Sequence, residues 1–342
     1  MFERFFKPDN NSSENKLHER ENEFPESDQA ICEKNAARIK NTLGMEIDIK
    51  GLTIGEKSVN DLSQPQRDQK LMDSTAFYEY GSNAITIVGE RLRQSEAYFN
   101  KIGPAAMIDK KNAAKLPREY TLLHEEIHAA HYQRNPEVFE KIDFDLREIK
   151  NIISLADNNY RNCTELQAEL KTEVLARKID FSVNVSKLPD DIRQKAEEIK
   201  RLMAENEELQ TRTNELQDHV LTGYLFREII AHAGAAEIAK KDQIVKSFNP
   251  YDVFFGMVKR NLNGEGIKDK LLRTIIDSML LKNKTKDEYD SYQLTLEGMI
   301  FFDNIQKASG GDFKKTFDLI LNNPPQEMAE IKDPSLYLKR MK

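Results

Sequence analysis

The spacing of apolar residues predicts a small sheet near the N-terminus and helices over most of the remaining chain. After Ser27, a residue suited to an N-cap, the apolar positions follow helical spacing and stop at Gly44. Alternating apolar residues at Met45, Ile47 and Ile49 then predict a strand. Two β-prone runs within "TAFYEYGSNAITIVG" predict a hairpin. We therefore expect a small, mostly antiparallel sheet.

The apolar periodicity is helical from Pro117 almost to the C-terminus, and Pro117 itself suits the first turn of a helix. Within the segment 188–240, leucines recur every seven residues, but Asn206 and Thr213 interrupt the apolar seam. This pattern favours an intramolecular packing face or a projecting helical hairpin over a dimerising coiled coil. The predicted helices span 90–101, 137–156, 163–178, 188–240, 250–262, 266–283, 291–308 and 312–322.

These patterns predict an α+β fold in which a small N-terminal sheet precedes a largely α-helical C-terminal region. Residues 1–27 are polar and interrupted by prolines, so we expect a disordered leader. A core domain over 28–186 follows. A long helical hairpin or coiled-coil-like segment over 187–248 and a helical C-terminal lobe over 249–342 complete the predicted organisation.

The composition is that of a soluble, mildly acidic globular protein. Charged residues make up 32% of the 342 positions and the net charge is -7. Lys and Arg are scattered among acids, which argues against nucleic-acid binding, and no apolar run is long enough to span a bilayer. Cys32 and Cys163 are too far apart in sequence to suggest a disulfide framework. The N-terminus lacks a Sec-type signal, so we expect a chain that is cytoplasmic when synthesised.

The candidate chemistry lies in "TLLHEEIHAAHY", residues 121–132, which contains three of the six histidines. On a helix, His124 and His128 lie one turn apart on the same face, so both imidazoles can reach one ion at about 2 Å. Glu125, about 100° further round, lies outside the ligand set but can take a proton from water at the open coordination position. The alternative is that these residues form the solvated side of an amphipathic helix.

A metal centre needs a third ligand, and the stretch "NCTELQAELKTE" offers acids at four-residue intervals. Glu165 is the expected ligand, and Glu169 is expected to accept the second hydrogen of a ligating imidazole. The choice between Glu165 and Glu169 as the ligand stays open. A solvated acidic face is the alternative interpretation.

These two motifs together resemble the gluzincin branch of zinc metallopeptidases. The string "HEEIHAAH" is similar to the active-site helix of clostridial neurotoxin light chains and of zinc-protease effectors that bacterial pathogens inject into host cells. In those proteins the Glu ligand follows about 35 residues later, and Glu165 follows His128 by 37. The match covers residues 120–173. Glu126 stands where those families have Leu, and the Arg usually found after the ligand Glu is absent.

The resemblance implies a zincin-like fold with one zinc ion. It implies His124, His128 and Glu165 as zinc ligands, Glu125 as general base, and Glu169 as a carboxylate that supports a ligand. His131 falls close to the face of His124 and is an alternative ligand, although with Glu165 available a supporting or rim position is favoured. Zincins also place a donor beside the developing oxyanion, usually from a later helix. The candidates for this donor lie in "GYLFREIIAHAG" and are Tyr224, Arg227 and His232.

The sequence therefore predicts a zinc-dependent endopeptidase that hydrolyses peptide bonds of a protein substrate. The resemblance implies a bacterial effector that a specialised secretion system delivers into the host cytosol. One alternative is a housekeeping or regulatory metallopeptidase inside the bacterium. A second alternative, from another class, is a non-enzymatic helical module that binds partners through residues 188–240.

Overall fold

The computed structural model describes residues 27–64, 66, 75–93, 116–179, 188–242 and 291–342, which form a mostly helical structure with one small sheet. This agrees with the predicted α+β class. Within these described ranges, no helix has both the length and the apolar character that crossing a bilayer requires. The elements are α1 (Asp28–Leu43), β1 (Thr53–Lys57), β2 (Ala76–Glu79), β3 (Ala84–Val88), α2 (Leu116–Arg134), α3 (Pro136–Arg177), α4 (Asp190–Lys241), α5 (Ser291–Ala308), α6 (Phe313–Asn322), α7 (Met328–Lys332) and α8 (Pro334–Arg340).

Some of the predicted elements cannot be compared with the structure. Nearly all of the predicted leader, most of the helix predicted over 90–101, and both helices predicted over 250–262 and 266–283 lie outside the described residues.

Helix α1 begins and ends where the sequence predicts. The side chain of Ser27 accepts a hydrogen bond from the backbone N–H of Ala30 at 3.2 Å. Gly44 takes the left-handed conformation, with φ of 67°, and its N–H bonds to the carbonyl of Lys40. Both caps satisfy backbone groups that a helix end leaves unpaired.

The strand predicted at residues 45–49 is wrong. Met45 is buried among core helices, and the N–H of Asp48 donates to the Gln133 side chain at 2.8 Å instead of to a neighbouring strand. Over residues 45–49 the side chains alternate between buried or half-buried and exposed positions, but the segment does not pair with a strand. The first strand, β1, starts four residues later, at Thr53.

The predicted hairpin is confirmed, but the sheet is mixed instead of mostly antiparallel. The strand order is β1-β3-β2, with β1 parallel to β3 and β2 antiparallel to it. At the hairpin turn Asn83 has a positive φ of 48°, which Asn tolerates better than most residues, and its side chain accepts a hydrogen bond from the Tyr78 hydroxyl at 2.8 Å. Strand β2 lies at an edge of the sheet and contacts α2.

Helix α2 is buried between the sheet and α4. Leu122 and Ala129 belong to the cluster that packs on the sheet, whereas Leu123, Ile127 and Ala130 belong to the main helical core. Apolar side chains therefore cover two sides of α2. The polar residues of its motif project between these two contacts.

Helix α3 joins two helices that the sequence predicts separately, and α4 is one unbroken helix over nearly the predicted range 188–240. The helices predicted over 137–156 and 163–178 are one 42-residue helix, and 190–241 is one 52-residue helix instead of a hairpin. The apolar seam of α4 packs against α3, with Ile199 and Leu202 beside Cys163. The seam is therefore an intramolecular packing face between two antiparallel helices.

The C-terminal part of α4 belongs to the same core as α1, α2 and the last four helices. The domain boundaries near residues 187 and 249 stay a prediction, since residues 180–187 and 243–290 lie outside the described ranges. The core includes Ile39, Leu43, Leu123, Ile127, Phe226, Ile230, Phe301, Ile305, Phe317, Ile320, Ile331 and Tyr337.

Small residues allow α4 to approach α2 closely. A Cβ atom added at Gly234 would lie 2.8 Å from the Leu43 side chain and 3.2 Å from that of Ile127. Ala231, Ala233 and Ala235 beside it are also buried. Larger side chains here would push α4 outwards.

We expect Gly234→Val to lower the free energy of unfolding by about 2 kcal/mol, because the added carbons overlap Leu43 and Ile127. Urea unfolding followed by circular dichroism measures the loss. Gly55→Val is the matched control, since a Cβ at Gly55 has no neighbour within 4 Å. Equal stability changes in the two variants would contradict this account of the helix contact.

Candidate metal centre

The motif on α2 directs consecutive side chains to different neighbours because each helical residue turns by about 100°. His124 and His128 face α4, where they contact Glu228. Glu125 faces strand β2 and accepts a hydrogen bond from the backbone N–H of Tyr78. Glu126 faces α1, where Asn35 donates to it at 3.1 Å. The motif is therefore not the solvated side of an amphipathic helix.

Two imidazole nitrogens and the two oxygens of one carboxylate converge between α2 and α4. The Nε2 atoms of His124 and His128 lie 3.1 Å apart. One carboxylate oxygen of Glu228 lies 3.4 Å from His124 Nε2, and the other lies 3.3 Å from His128 Nε2. Glu228 thus meets each imidazole through a different oxygen, and the three residues, joined by these nearest separations, are called the His-His-Glu triangle below.

This triangle fits a zinc ion. Zinc binds His nitrogen and carboxylate oxygen at about 2.0–2.2 Å in tetrahedral geometry, and the edge of such a tetrahedron is about 3.3 Å. The three separations, from 3.1 to 3.4 Å, match that edge. Two His and one Glu also form a donor set typical of catalytic zinc, with the fourth position left for water or substrate.

His232 lies beside this triangle, one helical turn after Glu228. Its Nε2 is 3.5 Å from a Glu228 oxygen, and its ring centroid is 4.3 Å from that of His124. Ligand atoms of His124, Glu228 and His232 all lie within 4.8 Å of one another. His128 is nonetheless the better third ligand, because both of its measured separations match a tetrahedral edge.

The site is buried on the α2 side and accessible on the α4 side. The side chains of His128 and His124 are 4% and 12% exposed, whereas those of Glu228 and His232 are 38% and 30% exposed. A ligand can therefore reach the triangle from the surface of α4. This is the accessibility that a catalytic metal requires, as opposed to a closed structural site.

The protonation states favour metal binding. Burial lowers the pKa of His124 and of His128, which keeps their rings neutral with a nitrogen lone pair available. Burial opposes ionisation of Glu228, but hydrogen bonds with His124 and His128, and attraction to whichever imidazole carries a proton, lower its pKa well below the usual range. Neutral imidazoles and an ionised carboxylate are the forms that bind zinc.

Glu125 has the environment of a proton-transfer group. Its side chain is buried, and burial together with the charge of Glu228 raises its pKa to about 8, although the Tyr78 N–H and Arg227 act in the opposite direction. A carboxyl whose pKa lies near neutrality can both accept and release a proton at physiological pH.

The environment of Glu126 explains why an acidic residue is tolerated where the resembling families have Leu. The residue is fully buried, and burial raises its pKa to about 8, so the carboxyl is mostly protonated and uncharged at pH 7. Asn35 and Cys32 hydrogen-bond to it from α1. Glu126 therefore connects α1 to α2 without placing an unpaired charge in the core.

The structure does not bring Glu165 and Glu169 close to the histidines, so its geometry does not support the roles predicted for them. Glu165 lines a shallow groove between α3 and α4 together with Leu202. Leu202 precedes Glu228 by 26 residues on one unbroken helix, a separation of about 40 Å. Glu169 forms an ion pair with Lys195 at 2.9 Å in the same region. Both acids belong to the surface of a helix pair, as in the alternative interpretation.

His131 packs in the aromatic core instead of supporting the ligands. It is fully buried, and its ring meets the edges of Phe139 and Phe226 at centroid distances of 5.2 and 5.0 Å. Burial lowers its pKa to about 3, so the ring is neutral. Among the described residues, neither ring nitrogen has a hydrogen-bond partner.

Two of the three predicted oxyanion donors lie at the edge of the site. Tyr224 precedes Glu228 by one turn and is 40% exposed. The Arg227 guanidinium carbon lies 4.4 Å from the Phe139 ring centroid and 5.4 Å from that of Tyr224. Their assignment as oxyanion donors stays a prediction. His232, the third candidate, belongs to the ligand cluster itself.

Sequence reasoning missed Glu228, although a signal was present. Glu228 and His232 are four residues apart, so they share one face of α4, and the neighbouring Ala231, Ala233 and Gly234 mark that part of the helix as a close-packed surface. An acid and a histidine one turn apart on such a surface indicate a pair of ligands as strongly as the acids at four-residue intervals around Glu165 do.

Comparison of the chain with protein-family models, curated proteins and solved structures gives no match. The functional argument therefore depends on the geometry of the site and on the local resemblance of its motif.

We expect purified protein to bind one zinc ion, and His124→Ala and Glu228→Gln to weaken zinc binding by on the order of 100-fold or more, because each removes a ligand. Elemental analysis and competition with a chromophoric chelator measure stoichiometry and affinity. Glu165→Gln is the matched control and is expected to bind zinc normally. Loss of zinc from this control, or retention by Glu228→Gln, would contradict the assignment.

The proton on Glu126 makes stability depend on pH. The pKa of this carboxyl is about 8 in the folded chain and 4.5 in its unperturbed state. Its contribution to the free energy of unfolding is therefore fully present below about pH 4.5 and is lost as the pH rises through 8. Between pH 6 and 9 we expect the free energy of unfolding to fall by about 2 kcal/mol more in wild type than in Glu126→Gln.

Urea unfolding of metal-free protein at both pH values measures this difference, with exposed Glu165→Gln as the control that follows wild type. Stability curves for wild type and Glu126→Gln that run parallel across this pH range would show that the buried carboxyl does not titrate as described.

Proposed function

We propose that the protein is a zinc-dependent endopeptidase. The observation that supports this most directly is the triangle of His124, His128 and Glu228 ligand atoms, with edges of 3.1–3.4 Å and access from the surface. The ligands are those implied by the gluzincin resemblance, with Glu228 in place of Glu165. The zincin-like arrangement is part of this proposal.

Each residue around the triangle has a chemical role in this proposal. Zinc, when bound, supplies a Lewis acid that lowers the pKa of water and polarises a carbonyl. Glu125 accepts the proton of the attacking water at its carboxylate and delivers it to the leaving amine. The Tyr78 N–H orients this carboxylate through its hydrogen bond. Tyr224, one turn before Glu228 on α4, is the proposed donor to the developing oxyanion, and Arg227 is the alternative.

The position of strand β2 supports a peptide substrate. Strand β2 is at an edge of the sheet, and the Tyr78 N–H turns away from β3 toward Glu125. An extended peptide that pairs with this edge would run past the general base and the metal ligands. This mode of binding fits cleavage within a chain, because it leaves both ends of the peptide free to extend.

The alternatives remain distinguishable from this proposal. A non-enzymatic helical module has no use for a surface-accessible His-His-Glu triangle beside a carboxyl whose pKa is about 8. Delivery into a host cell and the bacterial intracellular role both stay predictions, since each concerns where the enzyme acts and not its chemistry.

We expect Glu125→Gln to lower kcat/KM for peptide hydrolysis by about 100- to 10,000-fold while zinc binding stays intact, because the amide cannot accept a proton. Wild type and variant, both loaded with zinc, are incubated with a cell lysate, and new N-termini are mapped by mass spectrometry. Glu165→Gln should produce the same termini as wild type. Identical termini from wild type and Glu125→Gln, or iron in place of zinc in the purified protein, would contradict the proposal.

A further inference from the structure

Arg227 is held rigidly beside the candidate centre. It is adjacent in sequence to the ligand Glu228, and its guanidinium carbon lies 4.4 Å from the Phe139 ring centroid and 5.4 Å from that of Tyr224. These cation–π contacts fix the plane and position of the guanidinium. They do not neutralise its charge or occupy its in-plane N–H donors, which point away from the ring faces.

Within the described ranges, no carboxylate forms an ion pair with Arg227. Its Nε is buried without a hydrogen-bond partner. Other arginines differ: Arg118 binds both oxygens of Asp28 at 2.6 and 2.8 Å, and Arg340 binds both oxygens of Glu330 at 2.6 and 3.0 Å. A partly buried guanidinium with free donors has a strong preference for a carboxylate, which it binds through two parallel hydrogen bonds.

The charge of Arg227 is directed to the proposed cleft. It lowers the pKa of Glu125 and that of His128, which are the general base and a metal ligand, and it also acts on Tyr78 of the edge strand. Contacts give the same direction, because Arg227 packs on the Phe139 ring, whose centroid lies 5.7 Å from that of Tyr80, the residue that follows β2. A group of the substrate placed next to the bond under attack would come within its reach.

We infer that Arg227 binds a carboxylate of the substrate adjacent to the scissile bond, so that the enzyme selects peptides with an acidic group at that position. This inference rests on the proposed function. The carboxylate is that of an Asp or Glu side chain, because binding a free C-terminus next to the bond would make the enzyme a carboxypeptidase; the amidated peptides below test for that second source. Both present the same planar pair of oxygens to the guanidinium.

The test uses quenched fluorescent peptides that carry Asp or Glu on either side of the scissile bond, with Asn and Gln peptides as uncharged isosteres. Each peptide is made with a free and with an amidated C-terminus. We expect wild type to prefer the carboxylate over its isostere by about 10- to 100-fold in kcat/KM, as for a charge-assisted hydrogen-bond pair. Loss of the preference on amidation identifies the terminal carboxylate, and its persistence identifies the side chain.

Arg227→Gln is expected to remove this preference by raising KM for acidic peptides, and Arg227→Glu to shift it toward Lys peptides. Arg201→Gln, which loses an arginine that pairs with Glu198 and Glu205 on the surface of α4, should keep the wild-type preference. Equal cleavage of acidic and isosteric peptides by wild type would overturn the inference. An equal fall in kcat for all peptides in Arg227→Gln would also overturn it and would identify an oxyanion donor.

A binding measurement separates this inference from the peptidase proposal. Zinc-loaded Glu125→Gln protein, titrated with the labelled acidic and isosteric peptides, reports binding by fluorescence anisotropy without any turnover. We expect Glu125→Gln to bind the acidic peptides more tightly than their isosteres, and the double variant Glu125→Gln/Arg227→Gln to bind both sets equally. That result supports the role of Arg227 even if wild type cleaves nothing. Equal affinity for both sets contradicts it, whatever the activity.

Discussion

The close contact between α2 and α4 is the constraint on which the site depends. His124 and His128 stand on one helix and Glu228 on the other, so their 3.1–3.4 Å separations require the two helices to pack at one fixed distance. Gly234 allows this approach, because a Cβ atom there would overlap Leu43. A shift of α4 by about 1 Å would stretch two edges of the triangle beyond tetrahedral zinc geometry. The small residues of α4 therefore set the separation of these side chains as well as the packing of the helices.

Adjacent positions on α2 show how the fold assigns different roles to the same kind of residue. Burial raises the pKa of both Glu125 and Glu126 to about 8. Glu126 is hydrogen-bonded by side chains of α1, where a protonated carboxyl replaces an apolar residue. Glu125 faces Glu228, the Tyr78 N–H and the charge of Arg227, so its proton is exchangeable within the site. Because each helical residue turns by about 100°, these two adjacent acids face different neighbours: Glu126 faces α1 in the core, and Glu125 faces the candidate site.

Local signals in the sequence were reliable where local interactions decide the structure. Ser27 and Gly44 mark the ends of α1 because capping involves only neighbouring backbone groups. The strand expected at Met45–Ile49 failed because alternation describes any extended segment with one buried side, and the partner here is Gln133. Four-residue spacing revealed His124 and His128. Glu228 lies 100 residues after His128, and only tertiary packing brings it to the histidines. The ligand spacing of the resembling families pointed to Glu165 instead.

The long helices explain why a distant carboxylate can complete the site with accurate geometry. Between the histidines and Glu228 the chain runs out along α3, 42 residues long, and returns along α4, 52 residues long. Ile142 of α3 lies against the turn of α4 at Gly223, where an added Cβ would be 2.7 Å away. This contact sets the register of α4 one and a half turns before Glu228. The carboxylate is therefore positioned by helix packing on both sides, first against α3 at Gly223 and then against α2 at Gly234, and the length of the intervening chain has little influence on where it lies.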